Sequence, residues 1–266
     1  MHVLSIRRPR SPRKVLLGGA GLLGFLLIWQ LVPTLGLVNS QYLPYVTDVL
    51  VRLVEEFRDL AFWRRLGLTM TSWGIGLSVA TAAAVALGAV VGLVPFLRRA
   101  THTMVEFLRP IPSVALIPLA VLMFGIQMRA ALVIIIYASF WQVFVQMIYG
   151  VADVDAVARD TARSFDLTRR ERLWYLVLPT ALPYLMTGVR LAAAVALILA
   201  ITAEMVIGNP GLGQMIELSR SAGDATGLYA FVVVTGLLGL GVNLVFRYIE
   251  RRSLSWHQSV RGEQVQ

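Results

Sequence analysis

The sequence predicts an all-α polytopic membrane protein with six transmembrane helices, on three observations. Only 15% of its 266 residues are charged and 57% are hydrophobic, whereas a soluble globule carries about 25% charged residues. Mean hydropathy is +0.71, so the medium that covers most of the surface is lipid. Several apolar runs reach the roughly 20 residues that cross a bilayer as helix, and none alternates like the short strands of a membrane barrel.

The runs lie at about 15–38, 69–97, 103–126, 129–150, 178–207 and 227–249. The first follows a basic stretch, "MHVLSIRRPRSPRK", and is longer than the 7 to 15 residues of a signal-peptide core. It reads as an uncleaved signal anchor. After it, "TDVLVRLVEEFRDLAFWRRL" spaces Val49, Leu53, Leu60 and Trp63 near helical period, with Thr47 or Asp48 suited to cap and Arg52, Glu55, Glu56 and Asp59 on a charged face. This predicts a helix lying at the membrane interface. Gly88 and Gly92 have the spacing that lets helix backbones approach, and Gly236, Gly239 and Gly241 are expected to do the same in the last span.

Arginine and lysine in short loops resist translocation, which orients the spans. Six crossings with the N-terminus inside leave seventeen of these residues on the cytoplasmic side and six outside, with Arg190 inside a span. The chain then divides into a basic N-terminus, 1–14, a six-span domain, 15–250, and a tail, 251–266, all membrane-bound with both ends cytoplasmic. The basic residues form no continuous face, so the +9 charge reflects topology and not nucleic-acid binding.

Catalysis finds no foothold. Cysteine is absent and lysine occurs once, at Lys14, without the glycines of a nucleotide-phosphate loop. His2, His102 and His257 are scattered, with no metal-ligand spacing and no nucleophile elbow. No cofactor, metal or catalytic residue is expected in this chain, and any energy it uses must come from an ion gradient or another chain.

One stretch departs from the apolar pattern: "RDTARSFDLTRRERLWYLVLPTALP", within a polar segment at 151–177 that runs on into the fifth span. Ala156, Arg159, Asp160 and Arg163 are spaced for a helix, with Arg163 three residues after Asp160. Asp153 and Asp155 suit its N-terminus, and Asp166 can break it by adopting a left-handed backbone. Thr168 and Glu171 have capping-box spacing for a second short helix, Arg169 to Leu176. Pro179 then opens the fifth span and Pro183 adds a kink.

Spacing and residue types here resemble the EAA loop of permeases from binding-protein-dependent ABC importers, E-A-A-x-x-x-G followed by nine residues and I-x-L-P. Asp160, Thr161 and Ala162 fall on E-A-A, Asp166 on the glycine, Leu176 on the isoleucine, and Leu178 and Pro179 on L-P. Asp replaces Glu, Thr the first Ala, and Asp the glycine. "RPIPSVALIPLAVLMFG" and "AEMVIGNPGLGQMI" are similar to the third span and the end of the fifth span in the aliphatic sulfonate, taurine and nitrate branch. The resemblance implies a type I importer permease fold in the bacterial plasma membrane, a homodimer around a translocation path, two cytoplasmic ATPase subunits and an external solute-binding protein. It assigns ATPase coupling to Arg159, Asp160, Thr161, Ala162, Arg163, Asp166, Leu178 and Pro179, and a small organic, anionic solute to the path.

Four polar residues inside the spans are candidates for that path or its gate. Glu204 is an ionisable group near the outer end of the fifth span, either a gate or a paired group. Arg190, about 21 Å away along the same helix, meets an anionic solute or a structural partner. Gln142 and Gln146 share a face of the fourth span, near Ser139, and line a path or bond across helices. Two other classes remain open at this stage: an ion-coupled secondary transporter using Glu204 and Arg190, and a membrane scaffold that recruits a cytoplasmic protein through the polar hairpin.

Overall fold

The computed structural model describes residues 12–254, and every regular element in them is helical. In chain order these are α1 (Pro12–Thr34), α2 (Val46–Arg58), α3 (Leu60–Leu93), α4 (Pro95–Leu108), α5 (Ile117–Phe124), α6 (Met128–Ala152), α7 (Ala156–Ser164), α8 (Arg169–Arg172), α9 (Leu178–Ile207), α10 (Leu212–Ala222) and α11 (Ala225–Ser253). Residues 1–11 of the expected basic N-terminus, with Arg7, Arg8 and Arg10, and most of the tail after residue 250 lie outside the described residues, as do His2 and His257, while residues 12–14 open α1.

Five stretches are long and apolar enough to cross a membrane without interruption: Leu16–Thr34, Leu60–Leu93, Met128–Ala152, Arg169–Ile207 and Ala225–Ser253. The third span, expected as one helix over 103–126, is instead a broken pair. Pro95–Leu108 and Ser113–Phe124 meet at 81°. Pro110 and Pro112 fall at the break: each lacks a backbone donor, and the chain turns extended at Pro112 while Arg109 still keeps helical geometry. A 3₁₀ turn, Ser113–Leu116, restarts the chain, and the Leu108 carbonyl at the end of α4 accepts both the Ile111 N–H at 3.2 Å and the Tyr137 hydroxyl at 2.6 Å.

The expected interfacial helix also divides. Asp59 leaves helical geometry and its carboxylate accepts the Ala61 N–H at 2.9 Å, so α2 ends and α3 begins there. Helix α2 starts at Val46, before either expected cap, and has no side-chain cap. Its buried Val49 and Leu53 join Phe62, Leu212, Ile216 and Phe231 in a small core where α2, α3, α10 and α11 meet.

Helix α6 is the centre of the main core, sandwiched between α3 and α9. Glycine brings the three together. A Cβ at Gly88 would stand 2.9 Å from the Met147 Cβ, and one at Gly92 2.9 Å from the Val151 Cβ, so the expected close approach is an α3–α6 contact within the chain. On the other side of α6, a Cβ at Gly150 would lie 2.9 Å from the Ala181 Cα of α9. Water drives none of this association inside lipid; close van der Waals packing and interhelical hydrogen bonds do, and Trp73 Nε1–H donates from α3 to the Ala193 carbonyl of α9 at 2.9 Å. The last span does not follow the expected pattern: Gly236 and Gly241 face open space and Gly239 has one neighbour, Leu197 Cδ2, at 3.8 Å. Among the described residues nothing lies within 4 Å of a Cβ at Gly236 or Gly241, and Gly239 meets only the tip of Leu197 on α9, so their spacing brings no helix backbones together here.

Candidate functional site

The polar segment folds as a hairpin welded to α9. Asp155 caps α7 by accepting the Ala158 N–H at 2.9 Å, and Arg163 Nη1 donates to Asp160 Oδ1 at 3.2 Å on its exposed face. Asp166 sits at φ 53°, the single non-glycine residue of positive φ among the described residues. Its N–H donates to the Arg163 carbonyl at 2.9 Å and that of Leu167 to the Ala162 carbonyl at 3.0 Å. This is a Schellman cap with aspartate at the position glycine usually fills.

Thr168 then opens α8 with a reciprocal capping box: its hydroxyl accepts the Glu171 N–H at 3.3 Å, and Glu171 Oε2 accepts the Thr168 N–H at 2.7 Å. The second helix does not stop at Leu176 as the spacing suggests. Arg169–Arg172 passes through a π-turn, Leu173–Val177, straight into α9. Pro179 explains the wider turn, since it supplies no donor and its ring would crowd the carbonyl four residues back in a regular α-helix. Pro183 is accommodated inside α9, where the Thr187 hydroxyl donates to its carbonyl at 3.0 Å.

Two faces of α7 differ in kind. Val157 and Phe165 are 73% and 76% exposed and, with Thr161, border a shallow apolar groove completed by Tyr175 and Leu176. Arg159 and Arg163 start about 200° and about 240° round the helix from Val157 and border a cavity with the ends of α3 and α6. Ala162 is buried at 8% exposure and packs the hairpin shut. Sequence spacing found the charged residues of this segment but missed Val157, Phe165, Trp174 and Tyr175, whose signal was large apolar side chains inside a polar stretch.

The four intramembrane polar residues occupy three separate places. Gln142 and Gln146 lie half-buried in the α6–α9 seam; a Cβ at Gly188 would meet the Gln146 Cβ at 3.0 Å, and neither amide has a side-chain partner among the described residues. Arg190 is two residues past Gly188, hence about 200° round α9, and reaches Glu250 of α11 at 3.0 Å. Sequence reasoning had no means of naming Glu250, sixty residues away.

Glu204 is 2% exposed. Its Oε2 accepts the Thr69 hydroxyl at 2.9 Å and the Gly213 N–H at 3.0 Å. The N-terminus of α10 has no cap of its own, so Glu204 serves as one from another helix, a favourable place for a carboxyl group. A Cβ at Gly211 would collide with the Glu204 carboxyl, which is why the chain is bare there. Gln214 Nε2 donates to the Gly208 carbonyl at 2.7 Å and Arg65 Nη1 to Gln214 Oε1 at 2.7 Å, closing the turn between α9 and α10. On the outer face of α10 the Arg220 guanidinium holds the Glu217 carboxyl below the usual carboxylate range.

Comparison with known proteins places this arrangement. Residues 80–255 match the family described as the inner membrane component of binding-protein-dependent transport systems. The chain is 31% identical over 263 residues to the taurine transport system permease protein TauC of Escherichia coli, covering 97% of this chain and 95% of that protein. It is 28% identical over 247 residues to the bicarbonate transport system permease protein CmpB of Synechococcus elongatus, covering 89% and 88%. It is 25% identical over 191 residues to the nitrate import permease protein NrtB of Leptolyngbya laminosa, covering 72% and 68%. Among solved structures, the inward-facing methionine ABC transporter MetNI superposes with a TM-score of 0.63 at 18% identity, over 72% of this chain and 95% of that one. An amino acid ABC transporter superposes at 0.60 and 17% identity, over 72% and 94%. The fold is therefore that of type I ABC importer permeases, and the chain belongs to the family of inner membrane components of binding-protein-dependent transport systems.

Proposed function

We propose that this chain forms the translocation path of an ABC importer for a small anionic solute of the sulfonate, taurine or nitrate kind, with ATP hydrolysed on two separate cytoplasmic subunits. The carrying observation is the α7 hairpin: a short helix with an exposed apolar face, fixed by the turn at Asp166 and the capping box at Thr168 to a helix that continues without interruption to Ile207. A force applied to α7 is thereby applied to a membrane span. Asp160, Thr161, Arg163 and Asp166 lie on the exposed hairpin where an ATPase cleft would close on them, with Arg159 beside them. Leu178 and Pro179 stand where the hairpin becomes the span. A second copy of the chain completes the path, and a solute-binding protein delivers solute at the α10 end.

Within the path, Gln142 and Gln146 supply neutral donors suited to an oxyanion passing through. Arg190 and Glu204 act through Glu250 and α10 and serve as positioning groups. The test is uptake by proteoliposomes carrying the assembled complex. Uptake that requires ATP, stops with vanadate and ignores a protonophore is expected; ATP-independent uptake by this chain alone sinks the proposal and favours an ion-coupled carrier. Because the chain contains no cysteine, Val157→Cys is a unique thiol, and its crosslinking to an ATPase subunit tests the hairpin directly.

A further inference from the structure

A cavity of about 1050 Å³ opens between the hairpin and the ends of the spans. Its polar lining is entirely arginine. Arg98 and Arg99 come from α4, and Arg159 and Arg163, both exposed, border it from α7. Arg169, Arg170 and Arg172 of α8 close it, and no carboxylate takes part. Arg163 is offset by Asp160 and Arg159 Nη2 donates to the Val154 carbonyl at 3.1 Å. The other five have no side-chain partner among the described residues, and Arg172 Nε is buried without an acceptor. Like charges gathered in a concave site repel one another, and a buried donor without an acceptor is costly. An anion in the cavity would offset that repulsion and supply the acceptor that Arg172 Nε lacks.

The position of the cavity says which anion. It is walled by Leu93 and Val94 where α3 ends, and by Val151 and Ala152 where α6 ends, the same ends of two apolar spans, where lipid headgroups meet such helices. Leu93, Val94 and Phe96 at or beside its edge are exposed apolar groups, suited to acyl chains. A protein partner has a better face in the Val157 and Phe165 groove, on the opposite side of α7.

We propose that this cavity binds the phosphate headgroup of an anionic phospholipid, holding the hairpin against the membrane surface. Guanidinium groups pair with phosphate through paired, charge-assisted hydrogen bonds, and basic pockets between membrane helices take anionic headgroups. The site goes beyond the importer reading and needs no ATPase, so its failure leaves that reading untouched.

The experiment uses the purified full chain in nanodiscs of phosphatidylcholine with increasing phosphatidylglycerol, with lipid retained after detergent extraction read by native mass spectrometry. Wild type is expected to retain phosphatidylglycerol over phosphatidylcholine by at least tenfold. Arg98→Gln/Arg169→Gln/Arg170→Gln is expected to lose that preference. The matched variant Arg58→Gln/Arg64→Gln/Arg129→Gln, which removes equal charge at the other end of the spans, keeps it. Equal retention of the two lipids by wild type, or an unchanged preference in the cavity variant, overturns the proposal. So does full displacement of the retained lipid by 10 millimolar inorganic phosphate, which would mark a site for a soluble anion. The wild-type comparison stands even where a variant fails to fold.

Discussion

The Thr69 hydroxyl donates to Glu204 Oε2 at 2.9 Å while its oxygen accepts the Leu212 N–H at 2.9 Å. One side chain of α3 therefore joins the end of α9 to the start of α10. Thr69 is fully buried, so neither group it serves can turn to water.

Thr69→Val keeps the shape and removes both bonds. The buried Leu212 N–H is left without its acceptor, at a cost of about 1–3 kcal/mol, while Glu204 Oε2 keeps the Gly213 N–H. The detergent-solubilised variant should melt several degrees lower, with α10 losing amide protection before the spans do. Glu204→Ala should be worse, since it also strips the Gly213 N–H and leaves a void. A Thr69→Val protein with wild-type melting and exchange would show that α10 is held by other means.

At Asp166 the left-handed backbone penalises any side chain, by about 1 kcal/mol for most L-residues. Asp166→Gly should stabilise the hairpin and slow hydrogen exchange across α7, and Asp166→Val should do the reverse. Coupled ATPase activity in the assembled complex should survive the glycine and fall with valine. Equal exchange rates in the two variants would contradict the cap described for this turn.

Two glycines make opposite forecasts. At Gly150 an added Cβ meets the Ala181 backbone, which cannot yield cheaply, so Gly150→Val should cost about 1–3 kcal/mol and lower the yield of folded protein. Gly236→Ala meets open space and should be neutral or stabilising by up to about 1 kcal/mol. Comparable losses in both would mean that α11 has a close neighbour, such as a second copy of the chain.

Arg190 and Glu250 form a partly buried pair between α9 and α11, so removing one partner leaves the other's charge without its ion pair. Arg190→Gln and Glu250→Gln should each be destabilising, and the double variant should lose no more than one of them. Transport abolished in Arg190→Gln at unchanged melting temperature would instead give this arginine a direct hold on the solute.

Local rules carried the reading where local physics decides. Hydropathy located the spans, and the hairpin was visible because Asp155, Asp166, Thr168 and Glu171 each act on backbone within a few residues. Pro110 and Pro112 stood in plain view, yet the surrounding apolar run masked the break at which they fall. The partners of Arg190 and Glu204 were hidden for a different reason. Glu250 and Thr69 lie 60 and 135 residues away, and only the antiparallel packing of whole helices brings them near. Gly211 gave a clue that could have been used, since a glycine-rich turn after a lone intramembrane acid leaves room for that acid to bend back.

From Arg169 to Ile207 the fifth span runs for 39 residues, which at 1.5 Å per residue is about 58 Å. The hydrocarbon core of a bilayer is about 30 Å thick. Nearly half of this rod therefore projects beyond the oily layer or leans steeply within it. Its five-residue π-turn falls just before Pro179. A rod so divided is seated on α6 where Gly150 and Gly188 let the two helices close up, with its arginine-rich tip at one end and, near the other, the Glu204 carboxyl that caps α10.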